Sequence, residues 1–427
     1  MSPKPAKEDD RPPSLASRLG PGLITGAADD DPSGIATYSQ AGAQFGVNML
    51  WTPIFTYPLM VAVQLISARI GRVTGAGLAS NLVKVFPRWI VTALVGLLLV
   101  ANIVNIGADL AAMGAAARLV FGGDQTLYTF GFAAVSLLLQ LFVPYHRYVS
   151  LLKWLTMALF VYVGVIFTIK IDWVEVAART IMPHVEFSPP MITLVVAVFG
   201  TTISPYLFFW QSAEEVEDME ADHAPDLLHA EDRKARAELR RIRLDTLVGM
   251  GLSNAIAFFI ILTTAMTLHA AGVTDIETSA QAAEALRPIA GPLAFVLFSL
   301  GVIGTGLLAV PVLAGSAAYA VAEVRGWTAG LEHPPWRAKG FYAVIVFAVV
   351  TGLVVVVSPL DPIKILFWSA VLNGVISVPI MAAMMLVATR RDEMGRFVAT
   401  LGQRVLGWLA TGVMAVAVAA MLLFRGQ

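Results

Sequence analysis

Two short stretches decide the fold: Asp29-Asp30-Asp31-Pro32-Ser33-Gly34 interrupts an apolar segment near residues 20 to 45, and Gly200-Thr201-Thr202-Ile203-Ser204-Pro205 interrupts another that begins near residue 189. An aspartate at mid-bilayer costs about 3 kcal/mol on insertion scales, and proline removes a backbone donor and clashes with the preceding turn. Neither stretch reads as continuous helix. Each break falls near the middle of the first helix of one half of the chain. That symmetry is the sequence sign of a five-plus-five inverted repeat, with the substrate at the midplane between the two breaks.

Outward from the breaks, apolar runs of the length that spans a bilayer, about 17 to 25 residues, recur along the chain. They fall near 20–45, 49–70, 89–117, 126–144, 148–170, 189–213, 244–270, 288–322, 340–357, 362–388 and 401–424, eleven in all. Barrel strands would be shorter and strictly alternating. The 427 residues are 57% hydrophobic and 14% charged, with a mean hydropathy of +0.73, which is more apolar surface than a soluble core can hide. The chain is therefore expected to be an all-α membrane protein, with a transporter domain over 20–424 and the eleventh helix appended to a ten-helix core. Residues 1–19 are polar and proline-containing, and the aspartates that follow them exclude a cleavable signal peptide, so a disordered cytosolic tail is expected.

With the N-terminus inside, the inner segments carry 23 Lys and Arg and the outer segments six, a strong positive-inside bias that leaves the C-terminus outside. The chain is expected to be a multi-pass protein of the cell membrane. The polar stretch 213–243 then becomes a cytosolic loop, acidic over Glu214, Glu215, Glu217, Asp218, Glu220 and Asp222 and basic from Arg233 to Arg243. It reads as a solvated helical linker, with a regulatory cation sensor as the alternative.

The absence of cysteine leaves oxygen, imidazole and thioether groups as the available metal ligands. Asp29, Asp30 and Asp31 need a compensating charge or water, and a bound cation supplies one. Asp31 before Pro32 also suits a helix N-cap, but a cap alone needs no charge at that depth. Three crowded carboxylates repel, so without an ion at least one is protonated or turned toward water. At the second break, Thr201, Thr202 and Ser204 offer hydroxyls, and unwinding before Pro205 would free carbonyls of Gly200 to Thr202. The same small residues would equally allow close helix packing. Asn102, Asn105 and Asp109 share one face of the third helix, lining an ion path or holding helices together by hydrogen bonds. Asn373 and Gln211 are similar lone amides. Gln64 and Gln140 read as interhelical glue. Met182-Pro183-His184 precedes the sixth helix in an outer loop and is a decoy, and His269 reads as surface.

The chain resembles the NRAMP family of divalent-metal transporters, which share the leucine-transporter-like fold. The resemblance rests on Gly20-Pro21-Gly22, the first break, and Gly34-Ile35-Ala36-Thr37 at the spacing of the family's opening block. It implies that the family's metal-binding aspartate is Asp31. The family's break asparagine falls on Gly34 and its sixth-helix methionine-proline-histidine on Ser204-Pro205-Tyr206, so two side-chain ligands are lost. A further sixth-helix histidine falls on Gln211, and the third-helix aspartate survives as Asp109 while a glutamate becomes Ala112; the family associates these groups with its proton route. Replacing a thioether by a hydroxyl hardens the site, and Gly34 is expected to enlarge it, both favouring a partly hydrated Mg²⁺. The pattern is similar to the NRAMP-related magnesium-transporter branch.

The expected function is uptake of a divalent cation, Mg²⁺ with Mn²⁺ also admitted, by alternating access without proton coupling. Asp31 and the oxygens of Gly200 to Ser204 would hold the ion, and Asp29 and Asp30 would attract it. A proton-coupled Mn²⁺ or Fe²⁺ importer is the nearest rival, and a sodium-coupled amino-acid transporter a more distant one that three aspartates beside a substrate carboxylate oppose. No nucleophile with a base appears in the helices, so an enzyme is not expected. The expected partners are the metal ion and the bilayer; nothing points to nucleic acid, a resident cofactor or an obligate protein partner.

Overall fold

A computed structural model describes residues 21–143, 157–184, 187–221, 224–356 and 362–424. The expected tail at 1–19 lies outside the described residues, as does 148–156 of the expected fifth helix. Among the described residues there is no strand.

The first span is two helices, α1 (Pro21–Asp29) and α2 (Pro32–Phe45), with only Asp30 and Asp31 between them. Then come α3 (Trp51–Thr74), a short α4 (Leu78–Val85), α5 (Arg88–Phe121) and α6 (Gln125–Phe142). The fifth span is described only as a 3₁₀ turn, Met157–Phe160, and a helix, Val161–Val165. The sixth is again two helices, α7 (Pro189–Thr202) and α8 (Pro205–Ala221), with Ile203 and Ser204 between them. There follow α9 (Asp232–Thr264), which continues through a π turn to His269, then α10 (Ala294–Arg325), α11 (Lys339–Val356), α12 (Pro362–Thr389) and α13 (Leu401–Phe424). Eight helical stretches among the described residues are long and apolar enough to cross a membrane, and α1 with α2, and α11, occupy two more of the expected positions.

Both breaks are narrower than the sequence implies, because proline sits at the first position of each following helix, where its missing N–H costs nothing. Asp31 caps α2: its Oδ1 accepts from the Gly34 amide at 2.7 Å. The other end of the broken span is capped from a distance, Asp245 of α9 accepting from the amides of Gly22 at 2.7 Å and Leu23 at 3.2 Å. This satisfies two of the orphan donors that open α1.

Close backbone approach sets the packing around the breaks. α1 lies on α9 with Gly26 facing Gly249, where a Cβ on Gly26 would overlap the Gly249 carbonyl. α7 lies on α12 with Gly200 against the Ala370 carbonyl and the Gly374 backbone. Such contacts are the usual means by which helices associate in lipid, where no hydrophobic force acts between them. The long third and eighth spans, α5 and α10, pack along each other, and α13 leans against α3, α7 and α12 from outside. That is the appendage position expected for the eleventh helix.

The stretch 213–243 is mostly helical, as a helical linker would be, since α8 carries on to Ala221 and α9 already begins at Asp232. It departs from the expected solvated linker in that Glu214 and Glu215 are buried. It packs with the end of α3 and with the segment before α13: Arg72 reaches Glu238, and Arg396 pairs with Asp232.

Gly26→Val should prevent α1 from seating on α9. Overpacking of this kind typically costs about 1–3 kcal/mol, so thermal unfolding in detergent is expected at a clearly lower temperature than for the wild type.

Candidate functional site

The two breaks face each other at the centre of the bundle and are tied by tyrosines. The Tyr38 hydroxyl of α2 lies 3.0 Å from Thr202 Oγ1 of α7, and the Tyr206 hydroxyl of α8 donates to the Ala28 carbonyl of α1 at 3.1 Å. Gly34 sits directly against the second break, where a Cβ would meet Thr201 Oγ1 at 3.2 Å and the Tyr38 ring at 3.3 Å. The enlarged cavity expected at Gly34 is therefore absent: the volume vacated by a side chain is taken up by Thr201 and Tyr38.

Asp29, Asp30 and Asp31 are all buried, and among the described residues no lysine, arginine or histidine pairs with any of them. They do not converge on one point. Asp31 accepts from Ser33 Oγ at 2.7 Å as well as from the Gly34 amide. Asp29 and Asp30 turn to Ser253 of α9, whose Oγ lies 2.5 Å from Asp29 Oδ2 and 3.1 Å from Asp30 Oδ1. A hydroxyl has one proton to give, so it serves one of these two carboxyls at a time. Asp29 Oδ1 is buried with no partner among the described residues. The Tyr206 hydroxyl of the sixth span lies beside the Asp31 carboxyl.

At the second break two of the three hydroxyls donate back to α7, Thr202 to Val198 O at 2.7 Å and Ser204 to Gly200 O and Thr201 O, each at 2.8 Å. Serine and threonine oxygens keep lone pairs when they donate, so all three remain acceptors, and Thr201 Oγ1 has no partner. The Gly200 and Thr201 carbonyls are capped by Ser204, and Gly200 serves mainly to let α7 meet α12. The buried, unpaired carboxyls and the inward-facing oxygens make a place that favours a positive charge: an isolated buried ion costs several kcal/mol, and a cation between the breaks removes that cost.

Asp109 of α5 is buried beside this centre, close enough for its charge to act on Asp31 and Tyr206, and neither of its carboxyl oxygens has a partner among the described residues. Asn105 and Asn373 are likewise buried with both amide atoms unpartnered. Asn102 instead donates to Leu313 O at 2.8 Å and Ser316 Oγ at 2.9 Å, a tie between α5 and α10. Gln211 leans toward Glu215 at 3.5 Å. Gln140 bonds within its own helix to Ser136, and Gln64 has no partner among the described residues, so neither ties two helices together as expected. His184 is exposed in the segment before α7. His269 is not free surface, since its Nδ1 lies 2.8 Å from Ala43 O and its ring packs on Gly46, joining the end of α9 to that of α2.

Below the breaks, the end of α8 joins an ion-pair network with α3 and α9. Arg241 bonds Glu215 at 2.9 Å, Asp218 at 3.0 Å and Glu238 at 2.9 Å, and Arg72 bonds Asp218 at 3.3 Å and Glu238 at 3.0 Å. On the opposite side of α8, Glu217 accepts from the Tyr319 hydroxyl and from the Leu331 amide at 2.7 Å. Glu215, Glu217 and Asp218 of the acidic run are thus bonded rather than solvated, while Glu220 is exposed. Ser253, Asp245 and Tyr38 were not singled out from sequence; the Ser253-Asn254 pair within an apolar helix was the available signal for the first of these.

Residues 22–424 match the profile of the Nramp family, described as natural resistance-associated macrophage protein-like. The chain is 25% identical over 400 residues to a protein of Deinococcus radiodurans named divalent metal cation transporter MntH, covering 92% of this chain and 86% of that one. It is 26% identical over 412 residues to the protein of the same name from Burkholderia ambifaria, covering 94% and 87%. Its fold matches that of a manganese transporter of Eremococcus coleocola with a TM-score of 0.77 at 17% identity, over 95% of this chain and 87% of that one. It also matches MhsT, solved with L-phenylalanine, with a TM-score of 0.65 at 12% identity over 96% and 98% of the two chains. The fold is the leucine-transporter-like one, with the first and sixth helices broken.

Glu215 is fully buried and depends on Arg241, whereas Asp218 and Glu238 also hold Arg72. Arg241→Met is expected to destabilise the protein by about 3 kcal/mol by leaving a buried carboxylate unpaired, and adding Glu215→Leu should restore most of that loss. Equilibrium unfolding of the two variants in detergent checks it.

Proposed function

The chain belongs to the natural resistance-associated macrophage protein-like (Nramp) family, and from that premise we propose that it takes up divalent metal cations by alternating access, Mg²⁺ foremost and Mn²⁺ also, without a coupled proton. One observation carries the reading: Asp31 is buried at a helix break, without a cationic side chain among the described residues, and faces a second break that offers oxygen acceptors. The relatives of Deinococcus radiodurans and Burkholderia ambifaria bear the name divalent metal cation transporter, which supports a divalent ion as the cargo.

Asp31 supplies the charge, and Thr201, Thr202, Ser204 and the carbonyls from Gly200 complete an oxygen shell when the Tyr38–Thr202 contact parts. Asp29 and Asp30, held by Ser253, raise the local cation concentration. Oxygen ligands with no thioether favour a hard ion, and Mg²⁺ keeps several waters that hydroxyls and amides such as those of Asn105 and Asn373 can bond. Ala112 and Gln211 cannot ionise in this range. An inside-negative potential contributes about 2.3 kcal/mol per charge per 100 mV, enough to draw a divalent cation inward unaided. The Lys and Arg bias, 23 against six, orients the N-terminus to the cytosol and the C-terminus outside, in the cell membrane.

A second reading has one observation in its favour. Asp109 is buried and unpartnered beside Asp31, as a proton-carrying group in a coupled Mn²⁺ importer would be. Influx into proteoliposomes containing a pH dye separates the two. Mg²⁺ should enter at constant lumenal pH, and Asp31→Asn should slow entry by more than about tenfold, since even outer-shell partners of a bound metal are worth that much. Acidification that follows Mn²⁺ entry and disappears in Asp109→Asn would favour the coupled reading.

A further inference from the structure

A groove of about 400 Å³ lies outside the transport centre, between α3, the start of α9 and the start of α13. Its walls are mostly apolar, with Val61 and Leu65 of α3, Leu247 of α9 and Leu406 of α13, and one end carries Arg69 and Arg243. Between Tyr57 and Arg69, α3 rises by about 18 Å at 1.5 Å per residue. The groove therefore runs from a cationic end at the margin of the bundle to an apolar end well within the span.

The two arginines have no carboxylate partner among the described residues, although Arg72 and Arg241 nearby are bonded to several. Arg69 gives one Nη1 bond to the Phe397 carbonyl at 3.3 Å, while its Nε is buried without a partner. Arg243 is exposed. The first turn of α13 forms part of the same end through Thr400, Gly402 and Gln403, and a Cβ on Gly402 would meet nothing within 4 Å. A 24-residue helix presents partial positive charge there, so guanidinium groups and helix terminus favour an anion together.

We propose that this groove binds one anionic phospholipid, its phosphodiester between Arg69, Arg243 and the first turn of α13 and an acyl chain along Val61, Leu65 and Leu406. Charge complementarity selects the headgroup, and the apolar walls continue in the direction an acyl chain takes from it. A basic pocket between transmembrane helices is the usual form of such a site. Free phosphate would leave the apolar length unfilled, and a second copy of the chain would have to bring a carboxylate to two arginines. The lipid would fasten the appended α13 to α9, the helix whose Ser253 holds Asp29 and Asp30.

Native mass spectrometry of the full chain in detergent, titrated with phosphatidylglycerol and with phosphatidylcholine of the same chains, tests this. Phosphatidylglycerol should bind preferentially. Each arginine near a headgroup contributes enough for about a fivefold effect, so Arg243→Gln, at an exposed position, should cut the preference about fivefold, and Arg69→Gln with Arg243→Gln should abolish it. Arg240→Gln, outside the groove, should leave it unchanged. Equal binding of the two lipids, a preference left undiminished by Arg243→Gln, displacement of the lipid by millimolar inorganic phosphate, or protection of the groove by dimerisation would overturn the proposal.

Discussion

Four carboxyl groups, those of Asp29, Asp30, Asp31 and Asp109, are buried at the centre of a membrane-spanning bundle where the described residues provide no cationic side chain to balance them. Much of the surrounding architecture follows from that constraint. The helix must break at Asp30 and Asp31 so that amides and hydroxyls can turn toward the carboxyls, and it restarts at once because Pro32 is suited to a first turn and Asp31 to a cap. Glycines at 22, 26 and 249 bring α1 onto α9, which places Ser253 against Asp29 and Asp30 and Asp245 against the opening amides of α1. The centre is polar, packed and, among the described residues, without a cationic side chain.

The second half of the molecule answers the first with oxygen rather than charge. Its break is capped by Ser204, and its hydroxyls keep lone pairs free, so it can coordinate without bringing a further carboxylate into the bilayer. Contacts between Tyr38 and Thr202, and between Tyr206 and Ala28, hold the breaks together, while the pairs of Arg72 and Arg241 fasten the end of α8 to α3 and α9. An alternating-access cycle would have to break these contacts on one side at a time. On the proposed reading the second half would supply both weak ligands and the ties that a conformational change would release.

How much of this was legible in the sequence depended on what kind of force was at work. The breaks, the spans and the burial of Asp31 could be read because proline, aspartate and apolar length act locally or along the bilayer normal. Contacts across helices could not. Ser253 serves two carboxyls more than 220 positions away, and Tyr38 finds Thr202 at a separation of 164, pairings that no local pattern encodes. The stretch 213–243 misled because its charges looked solvent-bound, whereas Arg241 of α9 pairs with the buried Glu215, Arg72 of α3 joins it on Asp218, and Glu217 is bonded to Tyr319 and Leu331. Gly34 misled in the opposite way, since a lost side chain suggested space that Thr201 and Tyr38 in fact fill.

The most direct test of the central claim is to locate the ion. Crystals of the full chain soaked in Mn²⁺, with anomalous scattering recorded at a wavelength where manganese contributes, should show a peak between the two breaks, coordinated by the Asp31 carboxylate and by oxygens of the Gly200–Ser204 segment. No peak there, or a peak confined to the acidic end of α8 with Asp31 still bonded only to Ser33 and Gly34, would contradict the account.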